Sequence, residues 1–239
     1  TVYNNNNLAI VDANAYSQSG ATAKSPACTD SDADALCDSW ETSTGLNVSF
    51  VSNGVTYSYS YPCIPGKTYS DDPTGATVCG STGVPDIYAE IDYMVGHKPS
   101  LAAITKVTQA FRDSIQYSAS NSKLATDGIR THFILDDVLP HRDSLVKGST
   151  GAVDTFYNWK TQYFGECTIH GGTCGATGYA TNTNALVAKA NVFHYGMFIH
   201  NIDAATDKSS GWADIGGNDF VCSLGSFGGR VGTVNQQAS

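Results

Sequence analysis

Three apolar strand blocks separated by helical patterns constrain this chain more than any other feature. Residues 86–94, DIYAEIDYM, alternate strictly, with Ile87, Ala89, Ile91 and Tyr93 on one face and Asp86, Tyr88, Glu90 and Asp92 on the other. IRTHFILD (129–136) reads as a second strand, and NVFHYGMFIH (191–200) as a third, apolar enough on both faces to be central in a sheet. Between the first two, Pro99-Ser100 opens a helix in which Leu101, Ile104, Val107, Phe111 and Ile115 recur at helical spacing, predicting one buried stripe. An aromatic helix over 153–164 and a short helix over 181–189 precede the third strand. Strand, helix, strand, helix, strand implies a right-handed crossover sheet of α/β class. A last strand, DFVCSLGS (219–226), follows the Gly-rich stretch SSGWADIGGN and suits a sheet edge.

The sharpest chemical motif lies upstream, in DSDADALCDSWE (30–41). Oxygen ligands fall at loop positions 1, 3, 5, 9 and 12 as Asp30, Asp32, Asp34, Asp38 and Glu41, with the Leu36 carbonyl at position 7. That is the spacing of a calcium loop, where alternating carboxylates turn inward and a final Glu binds through both oxygens. Ala35 departs from it, standing at position 6 where glycine normally permits the turn. The bland alternative is a solvated acidic turn; five carboxylates in register favour Ca2+, in a structural role. Glu90 and Asp92, with Asp86 on the same strand face, make a candidate second cation site, against which stands an acidic strand face that meets solvent or pairs with bases.

Seven cysteines occur, six of them in sequence-local pairs beside loop-like stretches: Cys28 with Cys37, Cys63 with Cys79, and Cys167 with Cys174. Local disulfides and an oxidising, extracellular location are expected. Cys222 is left over, either as an apolar thiol within a strand or with a partner outside this sequence. Phe50–Tyr61 alternates around Asn53-Gly54 and predicts a hairpin, while Asn47-Val48-Ser49 is a candidate N-glycosylation sequon. Residues 1–27 read as a polar arm, 28–83 as a loop-rich calcium and disulfide segment, and 84–239 as the α/β domain. Residue 1 is Thr, which suits a processed chain or a fragment.

A net charge of -9 with only 13 Lys+Arg argues against nucleic acid or an anionic membrane surface as partner. No apolar run approaches the ~18–20 residues of a membrane span. Catalytic motifs are missing too: the chain contains no HExxH, no GxSxG and no GxGxxG opening a helix. His194 and His200 share a strand face but stand ~20 Å apart at ~3.3 Å per residue. His132 lies on the neighbouring strand, while His97, His141 and His170 fall in loops whose spacing implies no partner; each is expected to be an ordinary core or surface histidine.

The blocks VPDIYAEIDYM (84–94), GIRTHFILDD (128–137), VFHYGMFIHN (192–201) and GNDFVCSLGS (217–226), ending in TVNQQA (233–238), together resemble secreted bacterial and archaeal zinc metalloproteases of the zincin, metzincin-like type. The resemblance covers about residues 30–239 and implies a zincin-like mixed twisted sheet of about four strands with crossover helices. In that family the edge strand lines the substrate cleft, so Asn218–Ser223 becomes the expected edge for a peptide or protein substrate, or for a neighbouring copy. The family's zinc sits on a helix bearing HExxHxxGxxH, after the block matching TVNQQA; Ser239 stands where that helix would begin. No catalytic or zinc-binding residue therefore carries over to this chain, and Zn2+ is implied only if such a helix follows.

Two functions are expected from these readings. One is the N-terminal portion of an extracellular zinc metallopeptidase, inactive without the missing helix. The other is a non-enzymatic structural or assembly subunit, such as a filament or adhesive protein, built on a metalloprotease-derived scaffold.

Overall fold

A computed structural model of the chain describes residues 28–114, 128–146, 155–164, 183–202, 210–213 and 219–223. The polar arm, His170 and the TVNQQA block lie outside the described residues.

The segment expected to be loop-rich builds a sheet of its own. Strands β1 (Glu41–Thr42), β2 (Gly45–Ser52) and β3 (Val55–Pro62) pair antiparallel in that order. The turn is the two-residue Asn53-Gly54, with φ of 51° and 76°. Two left-handed residues twist a hairpin the way its strands twist, and Gly reaches that region without a Cβ penalty. Alternation then buries Leu46, Val48 and Phe50 on β2 against Tyr57 and Tyr59 on β3. Phe50 and Tyr57 are register partners and stack at 5.2 Å.

Two of the three expected disulfides form among the described residues. Cys28–Cys37 and Cys63–Cys79 close the loops that flank the hairpin, with Cα separations of 5.6 and 5.0 Å. The third expected bond, between Cys167 and Cys174, is not among them, because Cys167 and Cys174 both lie outside the described residues.

The second sheet holds β4 (Asp86–Met94), β5 (Arg130–Leu139), β6 (Phe193–Ile199), β7 (Gly211–Ala213) and β8 (Asp219–Ser223), in the order β5-β4-β6-β8-β7. The helices are α1 (Leu101–Arg112), α2 (Phe156–Tyr163) and α3 (Thr183–Ala190). None is long and apolar enough to cross a membrane. The sheet is mixed, because β8 runs parallel to β6 and antiparallel to β7.

Three expectations need correction. The sheet has five strands among the described residues, since Gly211–Ala213, read as plain crossover, pairs with β8. Within the expected edge 218–223, residues 219–223 form β8, which lies between β6 and β7 and is not the edge; residue 218 lies outside the described residues. And the α1 stripe is narrower than its apolar spacing suggests. Leu101 and Val107 are exposed while Ile104 and Thr108 are buried. At 100° per residue, positions 101 and 107 flank the 104/108/111 line by about 60° on either side. A two-carbon hydroxyl side chain on the line is buried in preference to larger apolar ones off it.

Residues divide into two compact units, one of 1–89, 101–134 and 182–193, the other of 90–100, 135–181 and 194–239. The first is centred on aromatic rings: Trp40 and Phe50 meet at 6.2 Å, and Phe193 takes Tyr59 edge-on at 5.7 Å. In the second, the Phe156 ring packs edge-on against Trp212 at 4.7 Å and tilted against Tyr195 at 5.8 Å. Lys160 is buried in this unit, its Nζ donating to both oxygens of Asp219 at 2.7 and 2.8 Å. Gly196 lies opposite Phe220 across β6 and β8, and a Cβ added there would fall 2.2 Å from the Phe220 ring.

Candidate cation sites

The acidic loop 30–41 closes on itself before it meets anything else. Asp30 accepts from the backbone amides of Ala33 at 2.7 Å and Ala35 at 3.1 Å. Asp34 accepts from Leu36 N at 2.7 Å. Ala33 and Ala35 take φ of 66° and 74°. The second is the loop position where glycine was missing, so the left-handed turn forms in spite of its Cβ, at a cost of ~1–2 kcal/mol. The Cys28–Cys37 bond and the Asp30 hydrogen bonds hold it there.

Carboxylates of Asp30, Asp32 and Asp34 present oxygens within 4.8 Å of one another, and so do Asp34, Glu41 and Asp86. Asp34 joins the two triads into one cradle of five acids. Glu41 opens β1 and is only 8% exposed; Asp86 opens β4 and is 2% exposed. Asp86 is tied down from both sides, accepting from Ser81 N at 2.9 Å and pairing with His132 Nε2 at 2.6 Å. The His132 ring stacks on Tyr88 at 4.1 Å, and its other nitrogen meets the Gly75 carbonyl. Asp32 and Glu41 are different: all four of their carboxylate oxygens are buried and accept no hydrogen bond from the described residues.

Electrostatics register this crowding. Burial, then the charges of Asp30 and Asp86, raises Asp32. Burial lifts Asp34 to about 7, against hydrogen bonds from Asp86 and Leu36 amides. Glu41 is pushed up to about 9, by burial first, then by a proton it can share with the Asp86 carboxyl, then by the charges of Asp34, Asp86 and Asp32. Anions so placed must either take up protons or gather round a cation. Oxygen donors alone, five of them anionic, suit a hard dication such as Ca2+.

The loop pattern and the geometry differ in one member. Asp38 turns away: its two oxygens accept from the Ser31 amide at 2.8 Å and the Ser31 hydroxyl at 2.7 Å. The Leu36 side chain is buried in the core at 4% exposure, and the ligand expected from it is its backbone carbonyl. Asp86 was missed as a partner of this loop. Its signal was the acid-bearing face of 86–94, which only a long-range pairing could assign to the loop.

Glu90 and Asp92 are wholly buried on β4, which overturns the solvent-facing alternative. They gather with Asp136 of β5, their carboxylates within 4.8 Å of one another. Both Asp92 oxygens are already engaged, by Asp137 N at 2.9 Å and the Tyr195 hydroxyl at 2.6 Å. Burial and then the Glu90 charge hold Asp92 far above the usual carboxylate range. Three buried or half-buried carboxylates this close keep the candidate second cation site, with Asp92 as its hydrogen-bonded member. Asn47 lies in β2, its amide donating to Thr42 Oγ1 at 2.9 Å and to the Gly45 carbonyl at 3.2 Å. Cys222 is a free, half-buried thiol whose burial raises its pKa.

The histidines depart most from expectation. His97 and His141, from loops with no partner implied by spacing, and His200, from the end of the third strand, present ring nitrogens within 4.8 Å of one another. Ring centroids are 5.4 Å apart for His97/His141 and 5.1 Å for the other two pairs. His97 follows the end of β4, His141 the end of β5 and His200 the end of β6. Val95 N donates to the Leu139 carbonyl at 3.0 Å, so the ends of β4 and β5 lie side by side. Burial, then the charges of His200 and His141, lowers His97 to about 4, leaving it neutral at neutral pH.

A separate polar pocket is lined by Lys67, Tyr69, Arg112, Asp113 and Arg130, with the Arg112 guanidinium 4.6 Å over the Tyr69 ring. Compared with protein-family models, with characterised proteins and with solved structures, the chain gives no match, so its sites are read from their own geometry.

Proposed function

We propose that this chain is the calcium-pinned scaffold portion of an extracellular zinc metallopeptidase. The observation that carries the calcium half is the pair of buried carboxylates, Asp32 and Glu41, that accept no hydrogen bond inside a cradle of five acids. A Ca2+ ion there would take oxygens from Asp30, Asp32, Asp34, Glu41 and Asp86, binding residues 30–41 to the first residue of β4. Its role is to hold the fold rather than to carry chemistry. Two disulfides support an oxidising, extracellular setting.

The peptidase half rests on the resemblance, whose blocks fall on β4, β5, β6 and β8. Zinc and the general base would come from a helix outside this sequence, so the chain alone should not hydrolyse peptides. The assembly reading rests on the missing helix, the polar arm and a sheet edge; among the described residues that edge is β7 rather than β8.

Calorimetric titration of the cation-free chain with Ca2+ tests the first half: saturable binding is expected in wild type and its loss in Asp32→Asn and Glu41→Gln. No binding heat and no rise in melting temperature would sink it. A peptide-hydrolysis assay with Zn2+ present tests the second, with no turnover expected; chelator-sensitive turnover that persists through purification would overturn it.

A further inference from the structure

We propose that His97, His141 and His200 form a binding site for a divalent transition-metal cation of the zinc class, with a fourth coordination position open to a solvent-derived ligand. The site shares no residue with the calcium cradle, and its histidines are not those of the HExxHxxGxxH helix.

Geometry makes the case first. His200 Nδ1 and His97 Nε2 are 3.3 Å apart. Two nitrogens on one tetrahedral zinc, each ~2.0–2.1 Å from the metal, stand about 3.3–3.4 Å from each other. The third imidazole offers its nitrogen within 4.8 Å of both. The rings do not form a common stack: interplanar angles are 72° for His97/His200, 59° for His141/His200 and 24° for His97/His141. Edge-on and offset rings are also what ordinary aromatic packing favours, so it is the convergence of one nitrogen from each ring, and not the ring angles, that marks the site.

Construction supports it next. Each histidine comes from a separate segment, and each segment leaves the end of one of three adjacent strands. The His97 amide donates to the Met94 carbonyl at 2.8 Å, which turns the chain back over the end of β4. The Leu145 amide donates to the Asn201 carbonyl at 2.8 Å, joining the chain beyond His141 to the residue after His200. Ser223 Oγ holds the His200 carbonyl at 3.1 Å. These backbone ties fix three ligands that lie as far as 103 positions apart in the chain.

Donor chemistry then selects the cation. The triad is three imidazoles with no carboxylate among them. Neutral nitrogen donors suit Zn2+, Co2+, Ni2+ or Cu2+ and discriminate against Ca2+ and Mg2+. His97 and His200 are half-buried and His141 is exposed, so the ion has an entry path and one side left for water or an anion.

The test uses the full chain in excess Ca2+, titrated with Zn2+ by calorimetry and with Co2+ by visible absorption. One tight equivalent of Zn2+ is expected, with the intense Co2+ bands of a four-coordinate site. His97→Ala, His141→Ala and His200→Ala should each weaken Zn2+ at least tenfold while keeping Ca2+-dependent stabilisation, which shows that they fold. His141 is exposed, so its variant is the one least subject to a folding defect. His194→Ala and Cys222→Ser should bind Zn2+ like wild type. Absence of Zn2+ binding, wild-type affinity in His141→Ala, or loss of binding in His194→Ala or Cys222→Ser would each overturn the proposal.

Discussion

The backbone amide of Asp86 donates to the Asp34 carboxylate at 2.7 Å, across 52 positions of chain. The first residue of β4 thus closes the acidic loop with its main chain and completes the cradle with its side chain. Replacing that side chain tests whether the cradle or the loop pattern describes the site. Asp86→Asn keeps the amide but removes a charge, so Ca2+ affinity should fall about tenfold or more, since charge count tunes such sites. Asp38→Asn, which still accepts from the Ser31 amide and changes no group of the cradle, should stay within about threefold of wild type. Calorimetry on both variants decides; an Asp38 effect as large as that of Asp86 would restore the loop pattern.

Ala35 sits at φ 74° in the middle of the loop. Ordinarily Ala→Gly destabilises through the entropy of the unfolded chain, by ~0.4–1 kcal/mol. Here the relieved left-handed strain of ~1–2 kcal/mol exceeds that cost. Ala35→Gly is therefore predicted to stabilise the chain by up to about 1 kcal/mol. Urea unfolding with Ca2+ present measures it, and a lower midpoint would refute the strain account.

Lys160 and Asp219 form an ion pair with side chains 2% and 1% exposed. Lys160→Met strands a buried carboxylate, and a loss of about 3–5 kcal/mol is expected. Lys160→Met combined with Asp219→Leu removes both charges and should recover most of that loss. Chemical denaturation of the two single variants and the double completes the cycle; a double variant as unstable as the sum of the singles would mean the pair does not act as a unit.

Acid stability should depend on Asp72. Burial alone would raise its pKa, but hydrogen bonds from Thr77 and Thr74, side chain and backbone alike, prevail and lower it. Its oxygens accept from the Thr77 amide and hydroxyl, both at 2.7 Å, and from the Thr74 hydroxyl at 2.8 Å. A folded-state pKa below the unfolded value contributes stability that is complete above the unfolded value, near pH ~4, and disappears as pH falls through the folded one. Wild type should therefore lose stability faster than Asp72→Asn on acidification. Denaturation midpoints from pH 6 down to pH 2 compare the two; parallel curves would count against Asp72.

Local pattern carried the secondary structure well and tertiary relationships poorly. Alternation in 86–94, helical spacing after Pro99 and the Asn53-Gly54 turn all mark real elements, because each depends on neighbours a few residues away. Of the loop's expected ligands, Asp30, Asp32, Asp34 and Glu41 converge. Asp38 does not, because a serine seven positions earlier offers it two donors. What could not be read was anything set by strand order. The Gly211–Ala213 edge, Asp86 at the loop and the three converging histidines all follow from which strand ends adjoin, and spacing along the chain says nothing about that.

Phe220 has room for its ring only because Gly196 has no side chain. Slid by two residues, so as to keep its face, β8 would set that ring against His194 or Phe198 instead, and the strands would be wedged apart. The pairing is thus keyed like a tooth to a single notch. Asp219, next in line, reaches Lys160 only in that one setting, so the placement of a buried charge is decided by one missing methyl group.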